Sequence, residues 1–358
     1  MTEPTLGDLG ERRIVAELLA PRYAGGGGRF GDDCASLPIP PALDGHLVVT
    51  TDPCPPPMAA HLGFEDPYYR GWLVATLNLS DLAAAGAEPL GLLTSLQLPA
   101  TTTIAAFERL LDGIDECCQQ QGTRVLGGNL KETPQLDIGA TAFGVCDTAP
   151  MTRSGARVGD AVIALGEIGS FWAGVLGVQR GLLARDVSSP LLKNVLTPQP
   201  KIAAGLACRR ASALTACMDN SDGLYPSLLQ LAAASAVKVV VDGDSLTYSP
   251  GVAEIARDLN TEPLRLALGW GDWQLIGTCT PDALDALGQI ASASHTELHQ
   301  IGRVETGTGV QLEFAGRRGL LLPLDSQRFA TDSWFSAGLD AYVDLLLGGP
   351  LHYPVTNI

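Results

Sequence analysis

The sequence predicts a mixed α/β protein in two lobes, and three observations carry that prediction. Short runs of β-branched and apolar residues alternate with longer stretches whose apolar residues recur at helical spacing. The alternation stops over residues 147–159 (DTAPMTRSGARVG), a stretch of turn-forming residues, and then restarts. The chain has 358 residues, 46% of them apolar and 17% charged, which is the composition of a globular protein long enough for two cores. The expected domains are therefore 1–148 and 149–358.

Each element has its own signal. Residues 46–51 (HLVVTT) read as a strand and 70–87 as a helix with a wide apolar face that ends in small residues (LAAAGA). Residues 90–98 alternate like a strand. Residues 103–120 form the clearest helix, with Phe107, Leu110, Leu111, Ile114 and Cys118 on one face. Residues 136–145 read as the next strand. In the second half, 160–166, 214–218, 237–241, 274–280, 299–304 and 309–314 read as strands, and 170–180, 200–211 and 223–234 as helices.

Charge and targeting narrow the function. A formal charge of −16 argues against nucleic acid or an anionic membrane surface as the main partner. Residues 1–13 are polar and acidic, unlike a signal peptide, and no apolar run could span a bilayer. The eight cysteines form no CxxC pair. Buried, reduced thiols and a cytoplasmic address are the expectation.

Three nucleotide or metal signatures fail. No GxxxxGK[ST] occurs. Gly26-Gly27-Gly28-Arg29-Phe30-Gly31 matches GxGxxG, but Asp32-Asp33 follows where a helix N-terminus would have to hold pyrophosphate. His295-Thr296-Glu297-Leu298-His299 has the glutamate one position too late for a zinc protease, so a solvated helix-to-strand corner is expected.

The informative pattern is a set of aspartates at the ends of elements: Asp32 and Asp33, Asp52, Asp81, Asp219 and Asp222, each beside Gly, Ser, Thr or Asn. Hard oxygen donors on turns are the ligands Mg²⁺ uses. Several carboxylates in one cleft repel one another unless cations bridge them. Singly, each aspartate is read better as a turn or helix-cap residue; taken together in this order they are not.

The motifs, in this order, resemble thiamine-monophosphate kinase, within the aminoimidazole ribonucleotide synthetase-like superfamily. They are Gly31-Asp32-Asp33-Cys34-Ala35, Thr50-Thr51-Asp52, the stretch 78–87 (NLSDLAAAGA), Gly127-Gly128, Arg153-Ser154-Gly155-Ala156 with Gly159-Asp160, and Ser221-Asp222-Gly223-Leu224. The resemblance runs from about residue 6 to about 346 and implies that superfamily's two-lobed fold. It implies ATP in a cleft between the lobes, several Mg²⁺ ions, direct transfer of the γ-phosphate to a small-molecule acceptor, and a homodimer paired through the N-terminal sheets. Asp33, Asp52, Asp81, Asp219 and Asp222 would ligate metal, with Asp33, Asp52 and Asp222 nearest the chemistry. Thr51, Gly128, Asn129, Arg153 and Ser221 would hold the nucleotide. His61, Trp270, Trp273 and Tyr342 would face the acceptor.

The departures from the family pattern concern mostly the acceptor. The family's GGDT reads Gly127-Gly128-Asn129-Leu130, which removes one carboxylate. The loop after Thr51-Asp52 is longer and stiffened by proline (PCPPPMAAHL). The family's GGEDYEL reads Gly269-Trp270-Gly271-Asp272-Trp273-Gln274-Leu275, losing two glutamates and gaining two indoles. The expectation is a phosphotransferase with a flatter, more aromatic acceptor pocket than usual. Two alternatives stand beside it: a ligase-type reaction that activates an amide or carboxylate oxygen by phosphorylation, and a catalytically weakened nucleotide-binding regulator.

Overall fold

The computed structural model describes residues 35–38, 45–321 and 338–353, with the isolated residues 16 and 324. The glycine loop 26–31, Asp32 and Asp33 lie outside the described residues. Two sheets organise the chain. The first has the order β1-β2-β5-β3-β4, with β1 Ala35–Pro38, β2 His46–Pro53, β3 Glu88–Leu98, β4 Val125–Glu132 and β5 Asp137–Cys146. Its β3–β4 pair is parallel and the rest are antiparallel. The second has eight strands in the order β13-β12-β11-β8-β10-β6-β9-β7. These are β6 Ala161–Leu165, β7 Ala216–Asp219, β8 Lys238–Asp242, β9 Leu275–Cys279, β10 Leu298–Glu305, β11 Gly309–Phe314, β12 Arg317–Leu321 and β13 His352–Tyr353.

Helix α1 (Met58–His61) is one turn, forced to start where a proline run ends. Helix α2 (Pro67–Ala85) begins at Asp66, whose carboxylate accepts the Tyr68 N–H, and ends at Gly86 in the left-handed conformation. Helix α3 (Ile104–Gln120) begins at Thr103, whose hydroxyl accepts the Ala106 N–H. The remaining helices are α4 Ser170–Gln179, α5 Pro190–Leu196, α6 Ile202–Arg210, α7 Leu224–Ser235, α8 Val252–Asp258, α9 Pro263–Leu268, α10 Leu284–Ala293 and α11 Leu339–Gly348.

Every strand and helix expected from periodicity is present, with ends shifted by a few residues. Strand β4 was not expected. It reads Val-Leu-Gly-Gly-Asn-Leu-Lys-Glu, almost fully exposed, so it carries no burial pattern for periodicity to detect. Helices α5, α8 and α9 are too short for a periodic signal, and β12 and β13 pair at a sheet edge.

Helix α2 is the central strut. It lies between the two sheets, and its small C-terminal residues let α6 cross closely: a methyl group on Gly205 would sit 2.0 Å from the Ala83 carbonyl oxygen. Alternate residues of β6 serve different cores. Ile163 and Leu165 pack with α2 and the first sheet, while Val162 and Ala164 face α4 and α7. Segment 147–159 is pinned rather than a free linker. Met151 N–H donates to Ala85 O, Cys217 N–H donates to Thr152 O, and the Arg209 guanidinium on α6 bonds Gly86 O, Asp147 and Thr148.

The seven described cysteines are buried and unbridged. Histidine 299 corrects one expectation. It is buried inside β10, with Nδ1 2.6 Å from the Thr247 hydroxyl and Nε2 3.1 Å from Glu297; only His295 sits at an exposed corner, at φ 51°.

Candidate active site

One cavity of about 530 Å³ opens between the sheets. Asp52, Asp81, Asp219 and Asp222 line it, with Thr50, Thr51, Arg153 and Ser221. Four elements deliver the four carboxylates: β2, α2, the end of β7 and the turn before α7. The motif Asn78-Leu79-Ser80-Asp81 explains the convergence. Helical geometry places Asn78 and Asp81 on one side and Ser80 on another. Asn78 accepts the Asp52 N–H (3.1 Å), and Asp81 accepts the Thr50 hydroxyl (2.5 Å), so that side is tied to β2. Ser80 donates to Asp219 (2.8 Å), which ties the other side to β7. One turn of α2 therefore fixes carboxylates of both lobes.

Asp219 is 2% exposed and also accepts from Ser221 (3.3 Å). The neighbouring Asn220 is fully buried, and its amide oxygen accepts from Ser227 (3.0 Å). Arg153 reaches the same end of the cavity and is braced by Gln230 on α7 (2.5 Å).

The rest of the lining is apolar and aromatic. Pro55, Pro56, Pro57, Met58 and His61 form one wall; Phe171, Trp270 and Trp273 form another; Tyr69, Leu73 and Leu77 of α2 run between. Trp270 packs on Phe171 (5.0 Å) and edge-on to Trp172 (5.4 Å). Trp273 adopts φ 55°, a left-handed backbone unusual for a bulky side chain. The two indoles thus pack and line the cavity at once.

Tyr342 does not line the cavity. It is 4% exposed, stacks behind the wall on Trp172 (5.3 Å), and its hydroxyl oxygen accepts the Trp270 N–H (3.4 Å). Gly128 and Asn129 are also elsewhere. They sit exposed on β4 opposite Thr94 and Ser95, where a side chain at Gly128 would strike the Thr94 carbonyl at 2.2 Å. Sequence reasoning singled out the proline loop as a departure at the acceptor, but missed Phe171 and Asp272. Asp272, between the two tryptophans, is 1% exposed and bonds the start of α4. Burial pushes its carboxyl up to about 7, against the hydrogen bonds it accepts from Phe171, Gly169 and Ser170.

The carboxylate end suits a divalent cation by its all-oxygen donors. Among the described residues no three carboxylate, imidazole or thiolate groups already converge as a complete cage. No helix among the described residues is long and apolar enough to cross a membrane.

Comparison with known proteins identifies the architecture. Residues 31–146 match the N-terminal domain of AIR synthase related protein and residues 157–314 its C-terminal domain. The thiamine-monophosphate kinase of Synechococcus elongatus is 32% identical over 341 residues, 92% of this chain and 100% of its own length. That of Archaeoglobus fulgidus is 34% identical over 253 residues, 70% of this chain and 75% of its own. The solved complex of AaThiL with AMPPCP and TMP superposes with a TM-score of 0.77 at 26% identity, covering 92% of this chain and all of that one. The chain belongs to the AIR synthase related protein family, on its thiamine-monophosphate kinase branch.

Proposed function

We propose that the protein is an ATP- and Mg²⁺-dependent phosphotransferase that passes the γ-phosphate to a small acceptor carrying a flat ring, with thiamine monophosphate the first candidate. The observation that carries this reading is the mixed lining of this cavity. Carboxylates of both lobes and Arg153 form one part of it, and an aromatic and proline-rich surface forms the rest. The solved relative complexed with AMPPCP and TMP supports the same pairing of ligands.

In-line phosphoryl transfer needs positioning and charge neutralisation more than a protein nucleophile. In this reading Arg153 and Ser221 bind nucleotide phosphate. Asp52, Asp81, Asp219 and Asp222 hold Mg²⁺, with Asp33 joining them, and the metal would supply charge neutralisation on the phosphates when bound. Thr50 and Ser80 keep Asp81 and Asp219 oriented. Thr51 borders the nucleotide site, whereas Gly128 and Asn129, exposed on β4, take no part in this cavity. Trp270, Trp273 and His61 face the acceptor, with Tyr342 supporting Trp270. The functional division falls between 148 and 149, and the address is cytoplasmic.

A homodimer is part of the proposal. On the outer face of the first sheet, Leu47, Val49, Phe143 and Val145 are only half-buried and Leu93 is exposed, an apolar surface that a second copy would cover. Light scattering should give twice the chain mass, and a monomer at micromolar concentration would remove this element.

The reaction is tested by incubating the protein with ATP, Mg²⁺ and thiamine monophosphate and resolving the products. Thiamine diphosphate in step with ADP supports the reading. ADP and free phosphate without a phosphorylated acceptor would point instead to ligase-type chemistry on another substrate. ATP binding with no turnover would point to the regulator, and Asn129→Asp should then raise turnover.

A further inference from the structure

We propose that Asp272 is a positioning residue for the acceptor end of the cavity, setting the aromatic corner of Phe171, Trp270 and Trp273 from behind. The inference rests on the phosphotransferase reading for its substrate assay, but its structural basis is independent. Helix α4 has Gly169 at its N-cap, in the left-handed conformation and without a side-chain cap of its own. Asp272, about a hundred residues later in the chain, fills that role. Its Oδ2 accepts the Gly169 N–H (2.6 Å), and its Oδ1 accepts the Phe171 N–H (2.8 Å) and the Ser170 hydroxyl (3.1 Å). Asn194 on α5 adds its amide at 3.3 Å and braces Ser170 at 2.7 Å.

A carboxylate on the first N–H groups of a helix satisfies donors that otherwise lack partners and complements the helix dipole. Here it has a second consequence. The residue it caps, Phe171, and the residues around it in sequence, Trp270 and Trp273, all line the cavity. The loop can present both indoles only in an unusual backbone. Gly271 has φ 106° and its Cα lies where a methyl would strike the Phe171 ring at 2.6 Å, and Trp273 has φ 55°. Backbone strain of this kind persists only where the surroundings over-determine it. The buried carboxylate ties the middle of this loop to α4, and it bonds none of the cavity's carboxylates and does not line the cavity itself.

The test is Asp272→Asn, with thiamine monophosphate as the acceptor probe and near-ultraviolet circular dichroism as an activity-free readout. Asparagine replaces one acceptor oxygen by a donor that faces other donors. The expected result is a rise of about tenfold in KM for thiamine monophosphate, KM for ATP within about twofold, and loss of the dichroic signal of the Phe171–Trp172–Trp270 cluster. Equal increases in both KM values, or an unchanged dichroic signal in a folded variant, would overturn the proposal. Asn194→Ala keeps it testable if Asp272→Asn does not fold. It removes one donor to the carboxylate, and KM for the acceptor should rise by roughly threefold with KM for ATP unchanged; no change, or a parallel change, overturns the proposal. If the native protein does not phosphorylate thiamine monophosphate, the acceptor assignment fails, and the dichroic comparison alone decides the role of Asp272.

Discussion

The two ends of the cavity are built by opposite means. At the carboxylate end, the short polar motif 78–81 of α2 reaches both sheets through side-chain bonds: Asn78 to Asp52, Asp81 to Thr50 and, across 139 residues of sequence, Ser80 to Asp219. At the aromatic end, the wall depends on packing among segments far apart in the chain, with Asp272 fastening residues 169–171 and Tyr342 backing Trp270. A site held by local polar motifs is fixed by a few residues that chemistry cannot easily replace. A wall held by packing can change its shape while the fold survives.

The largest expected effect breaks the carboxylate end. Asp219→Asn should lower kcat by about a thousandfold, measured as ADP release, because it removes charge opposite the transferring phosphate. A loss below about tenfold would show that Asp219 serves only to bond Ser80. The next largest breaks the aromatic end. Trp270→Ala should raise KM for the acceptor by roughly tenfold while KM for ATP holds.

Two smaller effects concern the frame that keeps the ends together. Gly205→Ala would push α6 from α2 and should cost about 1–3 kcal/mol, seen as a Tm lowered by several degrees. The smallest is a pH effect from Asp272. Its carboxyl is raised by burial from 3.8 to about 7. The folded state therefore holds a proton that the unfolded chain releases. The stability from this group is complete below about pH 4 and is lost as pH rises through 7. The difference in Tm between the native protein and Asp272→Asn should shift against the native protein over that window. Subtracting the variant removes the contributions of other groups, such as Glu305, which the Arg318 guanidinium holds down near 2.

The sequence made much of the first end legible and little of the second. Asp52, Asp81, Asp219 and Asp222 stood out because each sits at an element end beside small polar residues, and the structure places all four around one cavity. The stretch Leu-Ala-Ala-Ala-Gly-Ala was readable only as the small-residue end of a helix, and Gly205 shows what it contacts. Trp270 and Trp273 were noticed as departures; both line the cavity, and Trp270 also packs on Trp172. Phe171 and Asp272 escaped because their significance lies in a pairing across about a hundred residues, which no local period encodes. Strand β4 escaped because its exposed residues carry no alternation.

The separability of the two ends can be measured directly by titrating Mg²⁺–AMPPCP and thiamine monophosphate, each alone, into the native protein, Asp219→Asn and Trp270→Ala. The account predicts a crossed result: Asp219→Asn loses the nucleotide analogue and keeps the acceptor, and Trp270→Ala keeps the analogue and loses the acceptor. Loss of both ligands in both variants would contradict it and make the cavity a single cooperative site.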